Sequence, residues 1–346
     1  MGRFENLDLA ARYAVKEALW LLGRHRPGAA RNIALFSTRR SGSTWLMEVV
    51  AVNRGIRYSD QPFSLHHPSP GHARRLPIPA RSQFTSLEGE DEERVRAFVA
   101  SLLDGSLSVN APWELWHPTY HWRTDRVVLK IIDAKPLIDW FDRTFPLHIV
   151  YSTRHPIPTA LSVLRNGWAL TAQAYLQDPR FVEAWLTEDL VAYAWDVLRG
   201  GTPLEQHVLN WTLENLVPLR LLPERPHWLF APYETATLDP AGTVDLLVNH
   251  LDLPDRKRML KQARAASRST RRLSSTFDPE EAARERLRAW RRHVTEPEED
   301  AAFRILDRFG VGLYRRGEDL PAPARRPPSP RNATDALPLP PNESTG

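Results

Sequence analysis

The stretch Asn32-Ile33-Ala34-Leu35-Phe36-Ser37-Thr38-Arg39-Arg40-Ser41-Gly42-Ser43-Thr44-Trp45-Leu46 decides how the rest of the chain is read. Its first five residues form an apolar run that predicts a buried strand, and the residues from Trp45 to Val52 predict a helix. A strand, a turn of small residues and a helix N-terminus together make an anion cradle. Unpaired backbone N–H groups and the positive end of the helix dipole converge on one point. Ser41, Ser43 and Thr44 add hydroxyl donors, and Arg40 adds a permanent charge. The stretch therefore predicts a site for a phosphate or a similar oxyanion.

The general nucleotide-phosphate pattern G-x-x-x-x-G-K-[ST] does not fit. The first glycine is missing, and Ser43 rather than Lys follows Gly42. The lysine that reaches the β- and γ-phosphates of a nucleoside triphosphate is absent, which weakens a kinase or ATPase reading. The turn resembles instead the 5′-phosphosulfate loop of PAPS-dependent sulfotransferases, a [K/R]-S-G-[S/T]-[S/T] motif after the first strand.

A second element strengthens the resemblance. Leu147-His148-Ile149-Val150-Tyr151-Ser152-Thr153 predicts another buried strand, followed by Arg154-His155-Pro156-Ile157-Pro158. The two prolines suit a helix start, and Asn166-Gly167 supplies its stop. Arg154 at the strand end and Ser162 eight residues later resemble the family's 3′-phosphate clamp. Guanidinium gives bidentate, charge-assisted bonds to a phosphate, and a hydroxyl fixes its register. The resemblance, closest to bacterial carbohydrate-type members, runs from about residue 31 to about residue 315.

It implies an α/β fold, a P-loop-like three-layer sandwich with a central parallel sheet flanked by helices. Strands are predicted at residues 32–37, 127–132, 147–153 and 227–231, with helical stretches between, two of them within 169–220. The organisation expected is an N-terminal amphipathic helix over residues 1–30, a sulfotransferase domain over 31–316 and a disordered Pro-rich tail over 317–346. Packing of the first helix on the domain ranks ahead of a membrane-surface anchor. Residues 61–82, rich in Pro, His and Arg, predict a loop or lid.

The resemblance also assigns roles. Arg40 would stabilise the leaving 5′-phosphate and the transferring group, with Ser41, Gly42, Ser43 and Thr44 as the cradle. Trp45 stands where some members stack an aromatic ring on adenine, and a core position on the helix suits it equally. Lys130, near the end of an apolar strand, would face the phosphosulfate. Arg271 and Arg272 fall in a basic segment where the family closes a loop over the 3′-phosphate. The general base is the weak point. Gln61 stands where carbohydrate-type members carry a glutamate, and amide cannot accept a proton usefully. His66 and His67 on the same loop rank first as bases, with Asp60 and Asp133 as the other candidates.

The implied cofactor is PAPS, leaving as PAP, with no metal. The implied reaction moves a sulfuryl group to a hydroxyl of a carbohydrate, glycolipid or other small metabolite. A non-catalytic nucleotide-binding protein of the same fold and a P-loop-type kinase are the rival readings. Trp113, Trp116, His117, Tyr120, His121 and Trp122 form a cluster that either stacks an acceptor or fills a core. Net charge is +4 on 46 basic and 42 acidic residues, which suits an anionic cofactor and argues against nucleic acid as partner. The 346 residues contain no Cys and no apolar run of membrane-spanning length. That composition excludes disulfides and thiolate metal sites and leads to a cytoplasmic expectation.

Overall fold

The computed structural model describes residues 2–65, 72–78, 81–107, 109, 115–269 and 279–322. His66, His67, Trp113, Arg271, Arg272 and the Pro-rich segment from residue 323 onward lie outside the described residues. Six strands form one sheet: β1 (Arg24–His25), β2 (Asn32–Ser37), β3 (Gly55–Asp60), β4 (Arg123–Ile131), β5 (Leu147–Ser152) and β6 (Leu229–Phe230). The order is β1-β4-β2-β5-β6, with β3 also paired to β4, and every pairing is parallel. β2 is central: Leu35 lies opposite Lys130 of β4 on one side and Val150 of β5 on the other.

Both faces of the sheet are covered, so its central strands read as unbroken apolar runs. Alternation then assigns the faces. Ile33, Leu35, Val128 and Val150 pack with the Ser43–Ala51 and Pro240–Leu251 helices. Ala34, Phe36, Leu129 and Tyr151 pack on the other side with the Gly89–Leu103 and Ile138–Thr144 helices. A third apolar cluster surrounds the buried Pro203–Leu221 helix, where Trp211, Leu213 and Leu216 meet Phe303 and Leu306 of the Glu296–Arg308 helix.

Three expectations change. The strand expected at 227–231 is confined to Leu229–Phe230, at the sheet edge. β3 has no counterpart among the predicted strands, because Arg57, Ser59 and Asp60 interrupt its apolar pattern. Those side chains are buried and partnered: the Arg57 guanidinium lies 3.8 Å over the Trp20 ring, and Ser59 donates to the Val109 carbonyl at 3.1 Å. Residues 169–220 form four helices rather than two: Ala172–Leu176, Pro179–Trp185, Glu188–Gly200 and Pro203–Leu221. Each later one restarts on its own cap. Asp178 accepts from Arg180 and Phe181, Thr187 from Leu190, and Thr202 forms a capping box with Glu205.

Candidate active site

β2, β4 and β5 deliver their carboxyl ends to one side of the sheet, and the cleft opens there, as parallel sheets favour. Its volume is about 780 Å³, and its lining includes Arg39, Arg40, Gly42, Ser43, Thr44, Gln61, Lys130, Asp133, Arg154 and Trp168. The turn after β2 is braced from within. The Ser41 hydroxyl donates to the Thr38 carbonyl at 2.6 Å and meets Ser37 at 2.8 Å, so it serves the loop's own shape. Arg40 (φ 61°) and Gly42 (φ 74°) are both left-handed. At Gly42 a Cβ would stand 2.8 Å from the Tyr233 ring, so both backbone and space call for glycine. Gly42 caps the Ser43–Ala51 helix with no side-chain hydrogen bond, which leaves the first N–H groups to a ligand.

The cations come from three elements. Lys130 of β4 is buried, with Nζ 2.5 Å from Asp60 Oδ1 and 3.0 Å from Thr44 Oγ1. Arg40 donates from Nε to the Ser162 hydroxyl at 2.9 Å and lies 5.7 Å from the Trp168 ring. Arg154 donates to the Arg40 carbonyl at 3.2 Å and stacks 4.6 Å over Tyr233, and its Nε is buried with no hydrogen-bond partner among the described residues. The two motifs, more than a hundred residues apart in sequence, thus meet at the Arg40–Ser162 contact.

Behind that contact lies a second pocket of about 210 Å³, lined by Arg154, Ser162, Arg165, Arg286, Trp290 and His293 among others. Trp290 is 5% exposed, and its indole N–H has no partner among the described residues. Arginines dominate the polar side chains of this lining, and among the described residues no carboxylate joins them.

The cleft floor carries a buried charge network. Lys135 Nζ donates to Glu214 at 2.9 Å, and Arg39 lies 3.9 Å from Glu214 and 3.5 Å from Asp133. Burial pushes Glu214 up, but Lys135 and Arg39 outweigh it and hold the carboxyl down at about 2. Asp133 differs. Burial pushes its carboxyl above the ordinary range despite Arg39 and Lys135. Its Oδ1 accepts from Gln83 at 3.2 Å, while its Oδ2 has no hydrogen-bond partner among the described residues.

Arg40, Gly42, Ser43, Thr44, Lys130 and Arg154 come together in the cleft, and Ser162 joins through Arg40. Trp45 is half-buried against the helical layer, and its indole N–H points to the Ala263 carbonyl at 3.3 Å. Asp60 is engaged with Lys130 and is not part of the cleft lining. Gln61 does line it, in a left-handed conformation (φ 52°), with its N–H on the Lys130 carbonyl. None of the described members of the 113–122 aromatic cluster lines the cleft. Sequence reasoning did not single out Arg39, Trp168, Arg165, Arg286 or His293, and it read Trp290 only as part of the domain's ending, Trp290 to Tyr314. Only Trp168 carried a nearby signal, the helix stop at Asn166-Gly167. Tyr233-Glu234 proves to brace the site. Glu234 accepts from the His155 N–H at 2.8 Å and from the Tyr314 hydroxyl at 2.9 Å.

No protein-family model matches the sequence, and no curated protein does. Among the solved structures to which the chain is similar are three sulfotransferase structures. One is the mouse sulfotransferase SULT7A1 complexed with PAP, at 16% identity and TM-score 0.39, over 85% of this chain and 88% of that one. Another is sulfotransferase STF9 from Mycobacterium avium, at 13% identity and TM-score 0.40, over 90% and 83%. The third is the sulfotransferase domain of the Synechococcus PCC 7002 olefin synthase, at 17% identity and TM-score 0.37, over 83% and 98%. Each of these three structures is a sulfotransferase.

Proposed function

We propose that the chain is a sulfotransferase that moves a sulfuryl group from PAPS to a hydroxyl acceptor. The observation that carries this reading is the pairing of an anion cradle with a separate pocket rich in cationic and donor side chains, the two sharing Arg154 and meeting at the Arg40–Ser162 contact. One phosphate needs the cradle alone, whereas a ligand with distant 5′ and 3′ phosphates uses both. The unpartnered Arg154 Nε and Trp290 Nε1, and the absence of any Cβ at Gly42, fit such a ligand.

When bound, PAPS supplies an activated sulfuryl group and departs as PAP. Arg40, Lys130 and the N–H groups at the start of the Ser43–Ala51 helix would hold the 5′ end and offset the charge that builds on its bridging oxygen. Arg154, Ser162 and Trp290 would hold the 3′-phosphate. Asp133 is the base this geometry favours: it lines the cleft, one of its oxygens is unpartnered, and burial raises its basicity. It would take the acceptor proton as the acceptor oxygen bonds to sulfur. Gln61, Ser64, Ser82 and Thr171 beside the indole of Trp168 suit a polyhydroxylated acceptor of the glycan class.

Calorimetric titration with PAP, ATP and ADP tests the reading. PAP should bind at least about tenfold more tightly than ADP, since charge-assisted bonds contribute roughly 1.5–3 kcal/mol each. A preference for ATP would move the assignment to nucleoside triphosphate chemistry. Gln61 in the cleft supports the second reading, a protein that binds PAP and transfers nothing. PAP binding without sulfate transfer to a glycan panel would favour it.

A further inference from the structure

Nine large apolar side chains are exposed among the described residues, and six of them fall in two segments that contact each other: Val15, Leu21 and Leu22 in one, Leu115, Trp116 and Trp122 in the other. Trp116 and Leu21 are each 80% exposed, Leu22 is 62% and Trp122 is 53%. The two segments are the end of the Gly2–Leu22 helix and residues 115–122. They are tied together. The Tyr120 hydroxyl donates to the Leu19 carbonyl at 3.1 Å, the Arg24 N–H donates to the Trp122 carbonyl at 2.8 Å, and β1 pairs with the start of β4. Val15 and Leu22 are seven residues apart and share a helix face. The folded protein thus holds the patch in place. Its cost in water is one that monomeric proteins usually avoid.

The charges around it have one dominant sign. Arg12, Arg24, Arg26, Arg31 and Arg123 are exposed in residues 11–31 and 115–126. The exposed carboxylates in the same segments are Asp125 and Glu17, and Glu17 pairs with Arg75 at 2.6 Å. We propose that this patch docks the protein on an anionic lipid surface. Indole rings suit the boundary between headgroups and acyl chains, and guanidinium groups beside them suit lipid phosphates. Among the described residues no helix is long and apolar enough to cross a membrane, so the helix lies on the surface. A second copy fits less well, because a two-fold contact through this patch sets its arginines against their own copies. The proposal does not depend on the chemistry of the cleft.

Co-sedimentation of the full chain with vesicles tests it, using phosphatidylcholine alone and phosphatidylcholine with about one-third phosphatidylserine. The protein should bind the mixed vesicles and be released by high salt. Arg24→Gln with Arg123→Gln should weaken partitioning by about 30-fold, at roughly 1 kcal/mol per charge near the surface. Trp116→Ala with Trp122→Ala should abolish the part of binding that survives high salt. Thermal melts should be unchanged in both variants, since all four side chains are exposed. Binding equal in the variants and the parent, or no binding to anionic vesicles, would overturn the proposal. So would a solution dimer that Trp116→Ala with Trp122→Ala dissociates, which would identify a second copy as the occupant.

Discussion

The anion cradle after β2 and the pocket behind Ser162, which we propose hold two ends of one ligand, are built by opposite means. The cradle is local. Its donors belong to consecutive residues, and left-handed Arg40 and Gly42 shape it within one turn. The pocket is assembled from side chains of residues 154–165 and 286–293, which the fold brings together. A backbone site is insensitive to most side-chain changes but depends on its glycine. A side-chain pocket loses affinity one donor at a time. The cleft floor adds a third behaviour, because we propose that Asp133 serves chemistry rather than phosphate binding.

The largest effect separates chemistry from binding. Asp133→Asn should lower turnover by about 10²–10⁴ while leaving PAP affinity within about twofold, as loss of a general base does. Single-turnover kinetics beside calorimetry would show it, and a matching loss of affinity would return Asp133 to the structural network. On the pocket side, Arg154→Ala should weaken PAP by about 100-fold and ADP far less, since ADP lacks the 3′-phosphate. An equal loss for both would mean that Arg154 serves the cradle instead. Gly42→Ala should cost about 2 kcal/mol of stability, read from urea unfolding, because it adds a left-handed alanine and a contact at 2.8 Å from Tyr233. Trp290→Phe removes one N–H and keeps the packing, so PAP should weaken by only about fivefold.

The last effect concerns the wall of the pocket and is read through pH. His155 is fully buried, stacked 5.0 Å from Trp290, and burial with Arg291 and Arg154 nearby pushes its pKa to about 3. The unfolded chain protonates this group near 6.5. Between pH 6.5 and about 3 the unfolded state therefore holds the extra proton, and stability falls as pH falls, by up to ~1.4 kcal/mol per unit. Unfolding measured at stepped pH should show that slope, and His155→Phe should flatten it.

Legibility follows the same division. β2, β4 and β5 were readable because a sheet covered on both faces demands long apolar runs. The turn was readable because its small residues and arginine are contiguous. β3 was not, since the burial of Arg57 depends on Trp20, a residue remote in sequence. The shortening of the predicted strand 227–231 to Leu229–Phe230 reflects an edge position with one neighbour, β5. The candidate bases divide too. Asp60 and Asp133 look alike as sequence, yet Lys130 engages the first and the cleft receives the second.

By itself, then, the sequence determined the parallel α/β sheet, the cradle at Arg40 to Thr44 and the placement of Arg154 at a strand end, because each depends on neighbours along the chain. The tertiary structure decided which carboxylate meets the cleft, which residues complete the pocket around Arg154, and where the exposed tryptophans stand. Those outcomes depend on burial and on distances between segments far apart in sequence, which no local pattern encodes.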